Sequence, residues 1–291
     1  MFKKIALIPV LSLCCMVSAF EISTDFPGGN IEVLEKSNNG AKVAQQIRDT
    51  SEWWFYWNFE VSGAAGKTLE FKFANGDPIG SFGPAASYDG GKTWEWLGAG
   101  CVKRGKDTSS FKVSIPQNAQ SARFAFCIPY MPADFDALAK EIPSLKKHPL
   151  CKTRKGRQNY YYTLGNPDGK LKIFLTSRHH ACESTGTYAM QGILEEFLQN
   201  STPACALLKD AEIIAVPFMD LDGVVDGDQG KYRKPHDHNR DYSESPIYPS
   251  VAAFKSLYNK ASESAEKVVA LDLHSPWMFR GGKSDTNNRA Y

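Results

Sequence analysis

The 291-residue sequence predicts an all-β sandwich followed by an α/β unit. Three observations carry this. Between about residues 20 and 130, short aromatic and β-branched runs are separated by turn-forming residues, as in a sandwich. From about residue 131, strand-like and helix-like segments alternate, which argues for a mixed, largely parallel sheet flanked by helices. The first nineteen residues fit neither texture. The expected organisation is a leader over 1–19, a sandwich domain over 20–130 and an α/β domain over 131–291. The 42% hydrophobic and 23% charged content are those of an ordinary globular protein.

The leader, "MFKKIALIPVLSLCCMVSAF", opens on Lys3 and Lys4 and runs apolar from Ile5 to Val17. Small residues follow at the minus-three and minus-one positions of a cut after Ala19. This is the layout of a signal peptide, and the run is too short to span a bilayer comfortably. The expectation is a secreted or periplasmic protein with no membrane partner beyond the leader. Cleavage removes two lysines and leaves 32 basic against 32 acidic residues. No basic cluster suggests a nucleic-acid surface. Of seven cysteines, Cys101, Cys127, Cys151, Cys182 and Cys205 remain after cleavage. Some could pair in an oxidising compartment, Cys101 with Cys127 for example. No C-x-x-C pair exists, so a cysteine-rich zinc site is not expected.

In the sandwich region, "EWWFYWNFEVSG" is aromatic and β-branched, and "KTLEFKFANG" alternates apolar with polar. "ASYDGGKTWEWLG" carries an Asp-Gly-Gly turn, and "SSFKVSIP" and "SARFAFCIP" complete the strands. The aromatic run Trp53–Trp57 is read as core before sugar platform.

In the α/β region, "PADFDALAKEI" reads as a short helix, "KLKIFLTS" as a strand and "STGTYAMQGILEEFLQN" as an amphipathic helix. "AEIIAVPFM" is a second strand, "PSVAAFKSLYNKASESAEK" a helix and "VVALDL" a third strand. The histidines gain meaning from this order. His180 follows the first of these strands and His274 the last. Ligands gather at the carboxyl ends of parallel strands. His180 and Glu183 lie three apart in the turn between strand and helix. With His274 they make two nitrogens and a carboxylate, a known set for catalytic zinc. His179 competes with His180 for the role, and an H-x-x-E pair alone is a weak signal. The spaced aspartates of "DLDGVVDGDQG" miss the EF-hand pattern and are read as a turn-rich loop.

Here the sequence resembles a known family. "SRHHACES" resembles the Arg-x-His-Pro-x-Glu zinc motif of the carboxypeptidase A-like metallocarboxypeptidases, with Ala181 in place of the proline. Arg178 then selects His180 over His179. "VPFMDLDGVV" resembles the family's strand ending in Asn-Pro-Asp-Gly, departing at Asp220 and Leu221. "KYRKPHDHNRDY" resembles its substrate-binding stretch, and "LDLHSPW" the strand with the third ligand. "WWFYWNFEVSGAAGKTLEFKFAN" and "CIPYMPADFDAL" resemble the N-terminal domain of the cytosolic-carboxypeptidase-like branch.

The resemblance implies one zinc ion per chain on His180, Glu183 and His274. It implies that Arg233 polarises the scissile carbonyl, that Asn239 and Arg240 grip the substrate's terminal carboxylate, and that Asp237 backs the first zinc histidine. The expected activity is removal of C-terminal residues from peptides or proteins, with water on the zinc attacking the last peptide bond. The alternatives are a zinc amidase or deacylase on cell-wall peptides or N-acyl amino acids, and a non-catalytic zinc-, peptide- or glycan-binding protein. The family's proton-accepting glutamate lies well downstream of the third ligand, yet no glutamate follows Glu266 here. The expectation is therefore a catalytic domain incomplete at its C-terminus, a fragment rather than a pseudoenzyme, and weak peptidase activity for residues 1–291. Terminal-residue specificity, physiological substrate and oligomeric state are not encoded in these motifs.

Overall fold

A computed structural model describes residues 20–51, 55–105, 107–197 and 202–275. The predicted leader, Trp53 and Trp54 lie outside these residues. Among the described residues, ten strands form the N-terminal region: β1 (Glu21–Ser23), β2 (Glu32–Ser37), β3 (Gly40–Ala44), β4 (Asn58–Ser62), β5 (Thr68–Phe73), β6 (Ala85–Ser87), β7 (Glu95–Trp96), β8 (Val102–Arg104), β9 (Ser109–Ser114) and β10 (Ser121–Ala125). They make two five-stranded sheets, ordered β1-β4-β10-β6-β7 and β2-β3-β5-β9-β8.

The period-2 pattern explains why the sheets face each other. In β5, Leu69, Phe71 and Phe73 are buried while Thr68, Glu70 and Lys72 are exposed. Phe71 meets Phe59 of the opposite sheet at 5.0 Å between ring centroids and Phe124 at 5.7 Å. Trp57 is fully buried against Phe73 and Phe111. The described part of the aromatic run is thus core, with Tyr56 also buried. The Asp-Gly-Gly turn joins β6 to β7, and Asp89 accepts from the Lys92 and Thr93 amides.

The second half contains α1 (Pro132–Glu141), β11 (Lys146–Lys152), β12 (Gln158–Gly165), β13 (Leu171–Ser177), α2 (Ser184–Glu196), α3 (Thr202–Asp210), β14 (Ala211–Val216), α4 (Leu221–Asp226), α5 (Pro249–Ser262) and β15 (Lys267–Leu273). Its sheet runs β11-β12-β14-β13-β15. β13 pairs in parallel with both β14 and β15. β11 and β12 form a hairpin that joins antiparallel to β14, so the sheet is mixed, with parallel pairing confined to its β14-β13-β15 side. β13 and β14 read as nearly continuous apolar runs because both faces are covered. Leu175 and Ile213 pack among residues of α1 and α2, while Phe174 and Ile214 pack against α5. The loop read from the spaced aspartates contains the short helix α4, with Asp220 capping the Gly223 amide at 3.0 Å.

Buried amides join the two halves. Gln229, fully buried, accepts from the Tyr56 amide at 2.9 Å and donates to the Tyr56 carbonyl at 2.8 Å. Asn30 donates to the Gly227 carbonyl at 2.6 Å and accepts from the Gln46 amide at 2.8 Å. Cys101, Cys127, Cys151 and Cys182 are free thiols, so the Cys101–Cys127 pair is not formed. Among the described residues, no helix is long and apolar enough to cross a membrane.

Candidate metal centre

β13 ends at Ser177, and the chain turns sharply into α2. Arg178 adopts a left-handed φ of 60°, which is strained for a side chain of this size. Its buried guanidinium stabilises the turn: Nε donates to the Ala181 carbonyl at 2.8 Å and Nη1 to the Tyr130 carbonyl at 3.0 Å. The turn carries His180 and Glu183 inward, both nearly inaccessible.

From the next strand, β15, His274 completes a cluster. His180 Nδ1 lies 2.9 Å from Glu183 Oε1, and His274 Nδ1 lies 2.7 Å from Glu183 Oε2. The three donor atoms fall within 4.8 Å of one another. Burial resists ionisation of Glu183, but hydrogen bonds from both imidazoles outweigh it and hold its pKa well below the ordinary value. His180 Nε2 is buried with no hydrogen-bond partner and lies 3.8 Å from Asp237 Oδ2. His274 Nε2 lies 2.7 Å from Asp272 Oδ2. A neutral imidazole presents one lone pair, and a carboxylate behind the other nitrogen fixes which one. Two imidazoles and one carboxylate converging through like nitrogens suit a borderline divalent cation such as zinc.

His179 is not peripheral. It is 2% exposed, its Nδ1 lies 2.8 Å from Asp272 Oδ1, and its Nε2 lies 2.7 Å from the Tyr242 hydroxyl. His238 is likewise buried rather than a surface residue, stacked on Tyr248 at 3.7 Å, and burial pushes its pKa down to about 4.

The remaining predicted residues are brought close but not all to one point. Asn239 Nδ2 lies 3.1 Å from His274 Nε2. The Arg240 side chain, 58% exposed, donates to both oxygens of buried Asp237 at 3.2 and 3.1 Å. Arg233 sits on the wall of a cleft of about 600 Å³ and is held by three aspartates. Its Nε donates to Asp49 at 3.0 Å, Nη1 lies 2.6 Å from Asp220, and Nη2 donates to Asp228 at 3.1 Å. Two of its five N–H donors are thus left over. Asp49 comes from the N-terminal half and also accepts from the Gln229 and Gly230 amides at 3.0 and 2.7 Å.

Asp228 is pushed up to about 6 by burial and the neighbouring Asp49 charge, with Arg48 and Arg233 pulling it down. An acid whose folded pKa is raised binds more protons when folded, from its unfolded value of about 3.9 upward. Stability then falls as pH rises through that window and levels off above the folded pKa. Asp228→Asn is expected to remove about 2–3 kcal/mol of this decline. The check is urea unfolding between acidic and neutral pH, where equal slopes for the two proteins would refute it.

Asp49, Asp228, Asp272, His179 and Tyr242 were not among the predicted site residues. For Asp272 a signal was present: it lies two residues before His274, the spacing that puts two side chains on one side of an extended chain. Asp49 carries no local motif and reaches Arg233 only through the tertiary fold.

Comparison with known proteins places this geometry. A zinc carboxypeptidase family model matches residues 131–272, and a cytosolic carboxypeptidase N-terminal domain model matches residues 22–126. Cytosolic carboxypeptidase 3 of Mus musculus is 30% identical over 175 residues, 55% of this chain and 17% of that protein. Cytosolic carboxypeptidase 6 of Caenorhabditis elegans is 30% identical over 176 residues, 55% of this chain and 38% of that protein. The chain thus spans well under half the length of these relatives. A metallo-carboxypeptidase from Burkholderia cenocepacia superposes with a TM-score of 0.74 at 21% identity, over 88% of this chain and 70% of that one. One from Pseudomonas aeruginosa gives 0.72 at 23%, over 88% and 69%. The expected secreted or periplasmic localisation is corrected by these relatives, which are cytosolic carboxypeptidases and point to the cytosol. With one family model over each half of the fold, the chain pairs a zinc carboxypeptidase domain over residues 131–272 with a cytosolic carboxypeptidase N-terminal domain over residues 22–126.

Proposed function

We propose that this chain holds one zinc ion on His180, Glu183 and His274 and serves a carboxypeptidase acting on the carboxyl ends of peptides or proteins. The observation that carries this reading is the convergence of both imidazole Nδ1 atoms on Glu183, with a separate carboxylate facing the far nitrogen of each ring. Zinc bound there would supply a Lewis acid for polarising a carbonyl.

The chain's own residues supply recognition. Arg240 presents an exposed guanidinium whose position is set by Asp237, so a substrate carboxylate meets a cation already oriented. Asp237 thereby couples two tasks, since it also faces His180. Asn239 stands beside His274 and supplies an amide between the metal ligands and Arg240. Arg233, pinned by Asp49, Asp220 and Asp228, keeps two N–H donors for a carbonyl oxygen in the cleft. The surrounding carboxylates reduce its net pull, so its contribution is directional rather than long-range.

The test is binding of matched peptides with a free or an amidated C-terminus, measured by calorimetry on the zinc-loaded chain. The free acid is expected to bind at least about tenfold tighter, the scale of one charge-assisted hydrogen bond. Arg240→Ala is expected to erase the difference. Equal affinities for the two peptides in the parent protein would remove the carboxypeptidase reading.

A further inference from the structure

We propose that Asp272 and His179 are positioning residues for His274, forming with Tyr242 a relay that aims its Nδ1 at the metal. The inference rests on the zinc reading above and deepens it. Each link is short. Asp272 places Oδ2 2.7 Å from His274 Nε2 and Oδ1 2.8 Å from His179 Nδ1. Thr176 donates to the same Oδ1 at 2.9 Å, and the Tyr242 hydroxyl closes the line on His179 Nε2 at 2.7 Å.

The need for such a relay follows from where His274 sits. It lies just past the end of β15, beyond the last ladder pair of Ser177 with Leu273. The His274 side chain is itself 29% exposed, against 6% for His180. His180 is held by the surrounding turn and by its burial. Among the described residues, the His274 ring is directed by hydrogen-bonding groups at both of its nitrogens. Asp272 alone is 37% exposed and could swing. Its second oxygen, however, is tied to Thr176 on the neighbouring strand and to an imidazole that is 2% exposed. The relay therefore ties His274 to the buried His179 through the two oxygens of one carboxylate. The carboxylate on Nε2 also keeps the proton there and leaves the Nδ1 lone pair for the metal.

The experiment uses the full chain and measures zinc affinity by chelator competition, together with the visible spectrum of the cobalt-loaded protein. Asp272→Asn is expected to weaken zinc by about ten- to a hundredfold, the usual effect of losing such a partner, and to shift the cobalt bands. His179→Asn should weaken it less, and the pair Asp272→Asn with His179→Asn should be no worse than Asp272→Asn alone, because His179 acts through Asp272. Tyr242→Phe, which keeps the ring, should produce a small loss of the same sign even if the His179 variant does not fold. Several results overturn the relay: unchanged affinity and spectrum in Asp272→Asn, losses from Asp272 and His179 that simply add, or a second zinc per chain that disappears in His179→Asn. The last would make His179, Asp272 and His274 a metal site themselves. Failure of the parent protein to take up zinc would instead defeat the zinc reading.

Discussion

Glu183→Ala is expected to lower zinc affinity by at least about a hundredfold, the largest effect of any single substitution in this chain. Glu183 is the group on which the cluster converges. Both imidazole Nδ1 atoms lie against it, at 2.9 and 2.7 Å, the Ser275 amide donates to it at 3.2 Å, and Lys231 Nζ lies 3.4 Å away. Its removal takes away the only negative charge in the proposed ligand set and one of its three ligand groups. Glu183→Gln is the sharper comparison. It preserves size and one acceptor oxygen, so the fold should survive, yet it loses the charge that a divalent cation needs. Equilibrium dialysis followed by metal analysis reads both variants against the parent. A parent with one zinc per chain and an alanine variant within about threefold of its affinity would contradict the proposed ligand set.

The second large effect concerns a glycine. α2 passes β15 so closely that a Cβ on Gly186 would sit 2.3 Å from the Leu273 carbonyl oxygen, 2.8 Å from its carbon and 3.4 Å from the His274 amide. These are backbone atoms, which cannot rotate aside. Gly186→Ala gains about 1 kcal/mol in helix propensity, but forcing helix and strand apart costs more, about 2–3 kcal/mol net. The displaced residues are those that carry His274, so zinc affinity should fall along with stability. Gly192→Ala in the same helix is the control. No atom lies within 4 Å of its added Cβ, and it is expected to stabilise by up to about 1 kcal/mol. Urea unfolding and zinc titration of both variants check this. Similar behaviour of the two would show that close approach of α2 to β15 does not constrain the ligand.

What the sequence made legible follows from how local each signal is. The strands β4, β5, β6, β7, β9 and β10 and the elements β13, α2, β14, α5 and β15 follow from pattern because their apolar faces lie within single segments, whereas β2, exposed along its whole length, carries no such signal. The hairpin of β11 and β12 escaped because "KKHPLCK" and "QNYYYTLG" mix charge, proline and tyrosine. Their half-buried faces fit no clean alternation. His180 and Glu183 were readable because one four-residue turn holds both. The aspartates around Arg233 were not, since Asp49 and Asp228 come from different halves of the chain and meet only after folding. The leader misled for another reason. A short apolar run after two lysines reports composition alone, and the relatives of the folded part point to another compartment.

The amide clamp between the halves bears on how such a protein can be taken apart. Gln229 commits its side chain to the backbone of one residue, Tyr56, and Asp49 commits both oxygens to the loop that leads into Arg233. Grafting a foreign sandwich onto the α/β half would keep both cores and still orphan these donors and acceptors in a dry interface. The N-terminal half is therefore no detachable accessory. It is the outer wall of the cleft, and a transplant would have to carry the contacts of Asn30, Asp49 and Tyr56 with it to leave the arginine where it stands.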